Sequence, residues 1–130
     1  MKKLTLIFTL LFSTVMFSST SFAGWKKVDE SMDGDTFYVD FERIRKVDGY
    51  VYYWDLTDYL KLTEEGHLSG KTYKQGDCKL FRFKDLSVFF HKEPMGRGTG
   101  EPYTPPDKWY YPPPNSSSEV VLKSVCESVK

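Results

Sequence analysis

The chain has 130 residues, with 18 basic and 18 acidic side chains, 17% aromatic residues and two cysteines. That length suits one domain with a modest core. The balanced charge argues against bulk nucleic-acid affinity, so no nucleic-acid partner is expected.

Residues 1–23 read as a cleavable export signal. Lys2 and Lys3 form a positive start, residues 4–17 are apolar apart from small hydroxyl residues, and Ser21-Phe22-Ala23 supplies the small residues before the cut. As a helix the apolar run would rise only about 21 Å, short of the roughly 30 Å hydrocarbon core, so no transmembrane segment is expected. Cleavage after Ala23 leaves residues 24–130 as a single domain. Gly24 rather than a cysteine follows the cut, so no lipid anchor is expected. The expected location is the periplasm, the medium or the cell surface, where Cys78 and Cys126 can oxidise and stay oxidised.

All seven prolines lie between Pro94 and Pro114. The stretch before them is rich in β-branched and aromatic residues and reads as sheet. Expected strands are 25–29, 36–40, 44–46, 50–60, 70–74 and 78–90. Breaks fall at Asp33-Gly34-Asp35, Asp48-Gly49, Glu64-Glu65-Gly66 and Gln75-Gly76-Asp77. Asp48-Gly49 is the sharpest hairpin signal, because a type I′ turn needs positive φ at both central positions. In 50–60 one face carries Tyr50, Tyr52, Trp54 and Leu56, and the other Val51, Tyr53, Asp55 and Thr57. Such bulk on both faces predicts cover on one side and partial cover on the other. In 78–90 the alternation changes phase after Asp85, which predicts a bulge or bend there.

Residues 116–129 read as a helix. Ser116 and Glu119 have capping-box spacing, and Val121, Leu122, Val125, Cys126 and Val129 form one apolar stripe. A β-branched helix this short is marginal alone. An exported chain with an even cysteine count is expected to join Cys78 to Cys126. Closing that interval contributes about 4 kcal/mol in the chain-entropy model.

No catalytic set emerges, and no enzyme activity is expected. The nucleophile-elbow pattern is missing, His67 reads as a solvated loop residue, and His91 reads as a rim residue at a strand end. Neither histidine stands at metal-ligand spacing with a cysteine, and Asp33-Gly34-Asp35 lacks the other oxygens of a calcium loop. No metal or cofactor is therefore expected. Gly96-x-Gly98-x-Gly100 has no helix behind it and reads as an irregular or mobile connection rather than a phosphate loop. Two features suit binding. Lys71, Lys74, Lys79, Arg82 and Lys84 form a basic edge, either a solvated guard against aggregation or a seat for an anionic ligand. Tyr103, Trp109, Tyr110 and Tyr111 lie among prolines, either as an interface or as a cover folded over the sheet.

The order of residues also resembles a known family. Trp25-Lys26-Lys27-Val28, Thr36-Phe37-Tyr38-Val39-Asp40, Val51-Tyr52-Tyr53-Trp54-Asp55-Leu56-Thr57-Asp58-Tyr59, Asp77-Cys78-Lys79-Leu80, Met95-Gly96-Arg97-Gly98 and Val125-Cys126 together are similar to the surface-adhesin protein E family of Gram-negative bacteria. The resemblance implies an α+β fold, an antiparallel sheet of about six strands with a C-terminal helix held to one face by Cys78–Cys126. It implies a protein partner, a host matrix or serum protein, and in some cases a homodimer. The other expectation is a soluble periplasmic structural or envelope-assembly factor with no host ligand.

Overall fold

A computed structural model describes residues 24–130, and the export signal expected at 1–23 lies outside them. The strands are β1 (Trp25–Glu30), β2 (Thr36–Asp40), β3 (Arg45–Val47), β4 (Tyr50–Asp58), β5 (Ser69–Asp77), β6 (Arg82–His91) and β7 (Gly100–Tyr103), followed by one helix, α1 (Ser117–Ser128). All pairings are antiparallel, in the order β1-β2-β4-β5-β6-β7. β3 shares an edge of β4 with β2, and each covers one end of that strand. Asp48 and Gly49 both have positive φ, as a type I′ connection between β3 and β4 demands.

The two faces of this sheet differ because side chains alternate along each strand. Val51 and Tyr53 of β4, Val39 of β2 and Phe83 of β6 form the core with Val121, Leu122 and Val125 of α1. This is the helix face. The opposite, open face carries Tyr52 and Trp54, with Tyr73 registered against Trp54. Leu56 is fully buried there, close to the Pro94–Gly96 turn.

Gly76 explains how α1 lies so close. A Cβ at this position would stand 2.8 Å from Val51 Cγ2 and 3.2 Å from both Leu122 Cδ1 and Tyr53 Cε1. The expected break at Gln75-Gly76-Asp77 is therefore a misreading: glycine here serves close approach, and β5 runs through to Asp77. The turn is Cys78–Phe81, with Phe81 at φ 52°. Asp77 Oδ1 accepts the Lys79 and Leu80 amides at 3.1 and 3.2 Å, while Oδ2 accepts Arg82 Nε at 2.9 Å. Cys78 thus sits in a turn rather than on a strand, and β6 starts at Arg82. The bulge near Asp85 is present, since Tyr73 pairs Ser87 and Lys74 pairs Asp85, leaving Leu86 as the extra residue.

The glycine-rich segment after β6 is also more ordered than its composition suggested. Met95 N donates to Asp58 Oδ1 at 2.7 Å and Gly96 N donates to Ser69 Oγ at 2.8 Å. β7 then adds to β6, with Pro102 on the outermost strand, where a missing donor is tolerated.

Ser116 caps α1 by accepting the Glu119 amide at 3.1 Å, and Glu119 Oε1 reaches back to Asn115 N at 3.1 Å, one residue earlier than the usual box. The Cys78–Cys126 disulfide ties the last turns of α1 to the β5–β6 turn across 48 residues. Cys126→Ser is expected to lower unfolding free energy by about 4 kcal/mol. Equal urea midpoints for the parent with and without reductant would refute this. Gly76→Ala is expected to cost about 1–3 kcal/mol by overpacking the seam beneath Leu122, measured as a shift of the urea midpoint at constant slope.

Candidate functional site

The basic residues singled out from sequence do not share one edge. Lys71 and Lys74 lie on β5, which is flanked by β4 and β6. Lys74 points to the helix face, where its Nζ bonds Asp55 Oδ2 at 2.6 Å and stands 4.6 Å from the Phe83 ring centre. It is a largely buried, paired group. Lys71 occupies the open face between Leu56 and Phe89 by register, and Lys79 is exposed in the β5–β6 turn.

Arg82 and Lys84 share the open face of β6, and there the fold does assemble a cluster. The Arg82 guanidinium stands 4.2 Å from the Trp109 ring centre and Lys84 Nζ stands 4.9 Å from it. Tyr50 stacks on the same indole at 5.8 Å. Asp77 and Asp107 pair the two cations at 2.9 Å each. Asp77 raises the Arg82 pKa against the opposing effect of burial, and the Tyr111 hydroxyl adds to the rise.

The proline-rich segment divides its aromatics between functions. Tyr110 exchanges backbone bonds of 2.9 and 2.8 Å with Phe83 and stacks on its ring at 5.6 Å, so it belongs to the cover. Trp109, one residue earlier, faces the other way. Tyr103 and Tyr111 remain exposed, at 54% and 63%. Beyond Trp109 the open face continues as a row. Tyr52 and Tyr73 stand 6.3 Å apart, Tyr73 and Trp54 5.0 Å, and Trp54 and Phe89 6.2 Å. Arg45 Nη2 donates to Tyr73 Oη at 3.4 Å. Tyr50, Tyr73 and Phe89 were not singled out for binding because their roles depend on register between strands. The alternation in β4 was the one available signal.

Both histidines are buried, which corrects the solvated and rim readings. His67 Nε2 bonds Glu101 Oε2 at 2.8 Å, and its ring stacks on Phe90 at 5.1 Å. β7 makes this possible by carrying Glu101 opposite Phe90. His67 beside it holds the Glu101 carboxyl below its ordinary pKa, despite an opposing effect of desolvation. His91 Nδ1 donates to Gly98 O at 3.2 Å, and burial, then the Lys71 charge, lower its pKa. Around His67 opens a cleft of about 600 Å³ lined by Tyr59, Glu65, Phe90, Glu101 and Tyr103. A neighbouring cleft of about 380 Å³ contains Asp85. Burial pushes the Asp85 pKa up, Asp55 adds to this and Lys74 opposes it. Among the described residues no group of three His, Cys, Asp or Glu is placed to hold a metal, and no helix is long and apolar enough to cross a membrane.

The model of the family described as surface-adhesin protein E matches residues 25–127. The structure of Haemophilus influenzae protein E in crystal form II is similar, with TM-score 0.59 and 16% identity over 81% of this chain and 88% of that one. A second Haemophilus influenzae protein E structure gives 0.59 and 17%, covering 81% and 85%. Protein E from non-typeable Haemophilus influenzae gives 0.54 and 16%, covering 81% and 74%. At such identities the likeness speaks for the fold. No curated protein matches the chain in sequence.

The raised pKa of Asp85 sets a pH dependence. Its native state takes up a proton at higher pH than its unfolded state, so the charged group costs stability above the folded pKa. This cost fades as pH falls through the folded pKa and is gone below the ordinary value of 3.8. Asp85→Asn is therefore expected to raise the urea midpoint at neutral pH, with the gain closing on acidification. A lower midpoint for the variant at neutral pH would contradict this.

Proposed function

The chain belongs to the surface-adhesin protein E family, and on that premise we propose that it is an exported, non-enzymatic binding module of the cell envelope. Its ligand is a protein, of the host matrix or serum class, and the open face is the binding surface. One observation carries this reading. Trp109 is held between Tyr50, Arg82 and Lys84 on the sheet face that α1 leaves uncovered, and it continues into the row of Tyr52, Tyr73, Trp54 and Phe89. Trp, Tyr and Arg are the residue types that dominate binding energy at protein interfaces, since they bury large areas at little rotamer cost. The paired cations give this face orientation and partner choice more than affinity.

Of the basic residues, Lys71 and Lys79 suit a charge-reversal test, and Lys74 does not. A glutamate at position 74 would set two carboxylates together where Asp55 now has its counter-ion, and the protein would lose stability before it reported on binding.

The test is capture of matrix and serum proteins by the purified oxidised protein. Trp109→Ala is expected to melt with the parent's cooperativity and to capture its ligand about 30-fold more weakly, the effect of losing a central aromatic anchor. Unchanged capture would remove the open face from this reading. Protease access on intact cells supports a surface role. Release by osmotic shock alone would favour the periplasmic envelope-assembly alternative.

A further inference from the structure

The helix face holds a second feature, on the part of that face lying beyond α1. α1 packs on β1, β2 and β4, and beyond it the two clefts lie side by side with Tyr59, Phe90 and Tyr103 in both linings, together a trough. Gly70 lets two of these side chains close onto the sheet: a Cβ there would meet the Phe90 ring at 3.3 Å and Tyr59 Oη at 3.4 Å.

The charge of this trough is one-sided. Asp85, Glu65 and Glu101 line it, and no lysine or arginine does. Nearby cations are committed elsewhere or stand outside. Lys74, next to Asp85, is bound to Asp55 at 2.6 Å, and Lys92 approaches Glu101 at 3.9 Å from solvent. His67 holds Glu101 in place at 2.8 Å. Asp85 Oδ1 is buried and accepts from no donor among the described residues. A buried carboxylate oxygen without a donor is costly, so Asp85 gains from further positive charge placed at the trough wall.

Spacing selects the shape of the ligand. Asp85 and Phe90 share one face of β6 across the bulge, and Glu101 lies opposite Phe90. At about 3.3 Å per residue, the two acidic ends are separated by roughly 13 Å, the distance between same-face side chains four apart on an extended chain. Aromatic walls between the ends suit the aliphatic stems and charged heads of lysine or arginine.

We infer that the trough between Asp85 and the Glu65–Glu101 pair is a docking site for an extended basic peptide segment of a partner protein. One cationic side chain meets Asp85, and a second, four positions along, meets Glu65 and Glu101. This site is on the opposite face from Trp109, so either surface can fail without the other.

The test is fluorescence anisotropy with the purified oxidised protein and a labelled threonine-rich peptide carrying two lysines four positions apart. The lysine peptide is expected to bind saturably, and its norleucine counterpart at least about tenfold more weakly, as loss of a charge-assisted bond implies. Asp85→Asn and Glu65→Gln are each expected to weaken the lysine peptide several-fold, while melting does not fall and Trp109-dependent capture is unchanged. Glu65 is exposed, so its variant reports binding without a folding question. Equal binding of the lysine and norleucine peptides, or binding indifferent to both substitutions, would overturn the site. Saturable binding of spermidine with none of the lysine peptide would overturn the peptide assignment.

Discussion

Leu122 has no exposed surface because it rests over a strand position that has no side chain. That contact is where α1 meets β4 and β5, and the asymmetry of the molecule follows from it. The helix is a single short segment rich in valine, a poor candidate for standing alone in water. Its apolar stripe is satisfied by Val39, Val51, Tyr53 and Phe83, and its far end is covalently held at Cys126. With one face of the sheet so occupied, the aromatic residues of the other face have no internal partner layer. They pack sideways against one another instead, which keeps each of them only half buried.

The two faces consequently offer different chemistry to a ligand. On the open face, arginine and lysine flatten against an indole and are balanced by aspartates, giving a broad surface with little free charge. On the helix face beyond α1, carboxylates line a narrow trough and one of them lacks a donor. Burial of Lys74 with Asp55 sharpens this difference. It engages the nearest cation with Asp55, so that the Lys74 charge offsets the burial of Asp85 only in part.

Much of this fold is legible in the sequence where a local signal has a local cause. The Asp48-Gly49 hairpin, the Ser116 cap, the valine-leucine stripe and the phase change at Asp85 each reflect short-range geometry. Gly76 misled because a glycine that permits contact between distant segments resembles a glycine that ends a strand. β7 lay hidden because four residues containing a proline carry no periodic signal, and only pairing with β6 makes them a strand. The basic cluster looked unified because its members are near in sequence. Register then sent Lys74 to one face and Lys71, Arg82 and Lys84 to the other. His67 gave no sign of burial, since its partner Glu101 arrives on that late strand.

The exchange of backbone bonds between Phe83 and Tyr110 has a consequence for self-association. β7 covers only the second half of β6, from Val88 to His91, and the proline-rich strap bonds the first half where β7 has ended. The outer rim is therefore four residues of β7 interrupted by Pro102, then a strap that offers no continuous ladder of donors. Such a boundary resists templated strand addition. A β-rich chain with so many tyrosines and phenylalanines would otherwise be prone to fibril growth from that side.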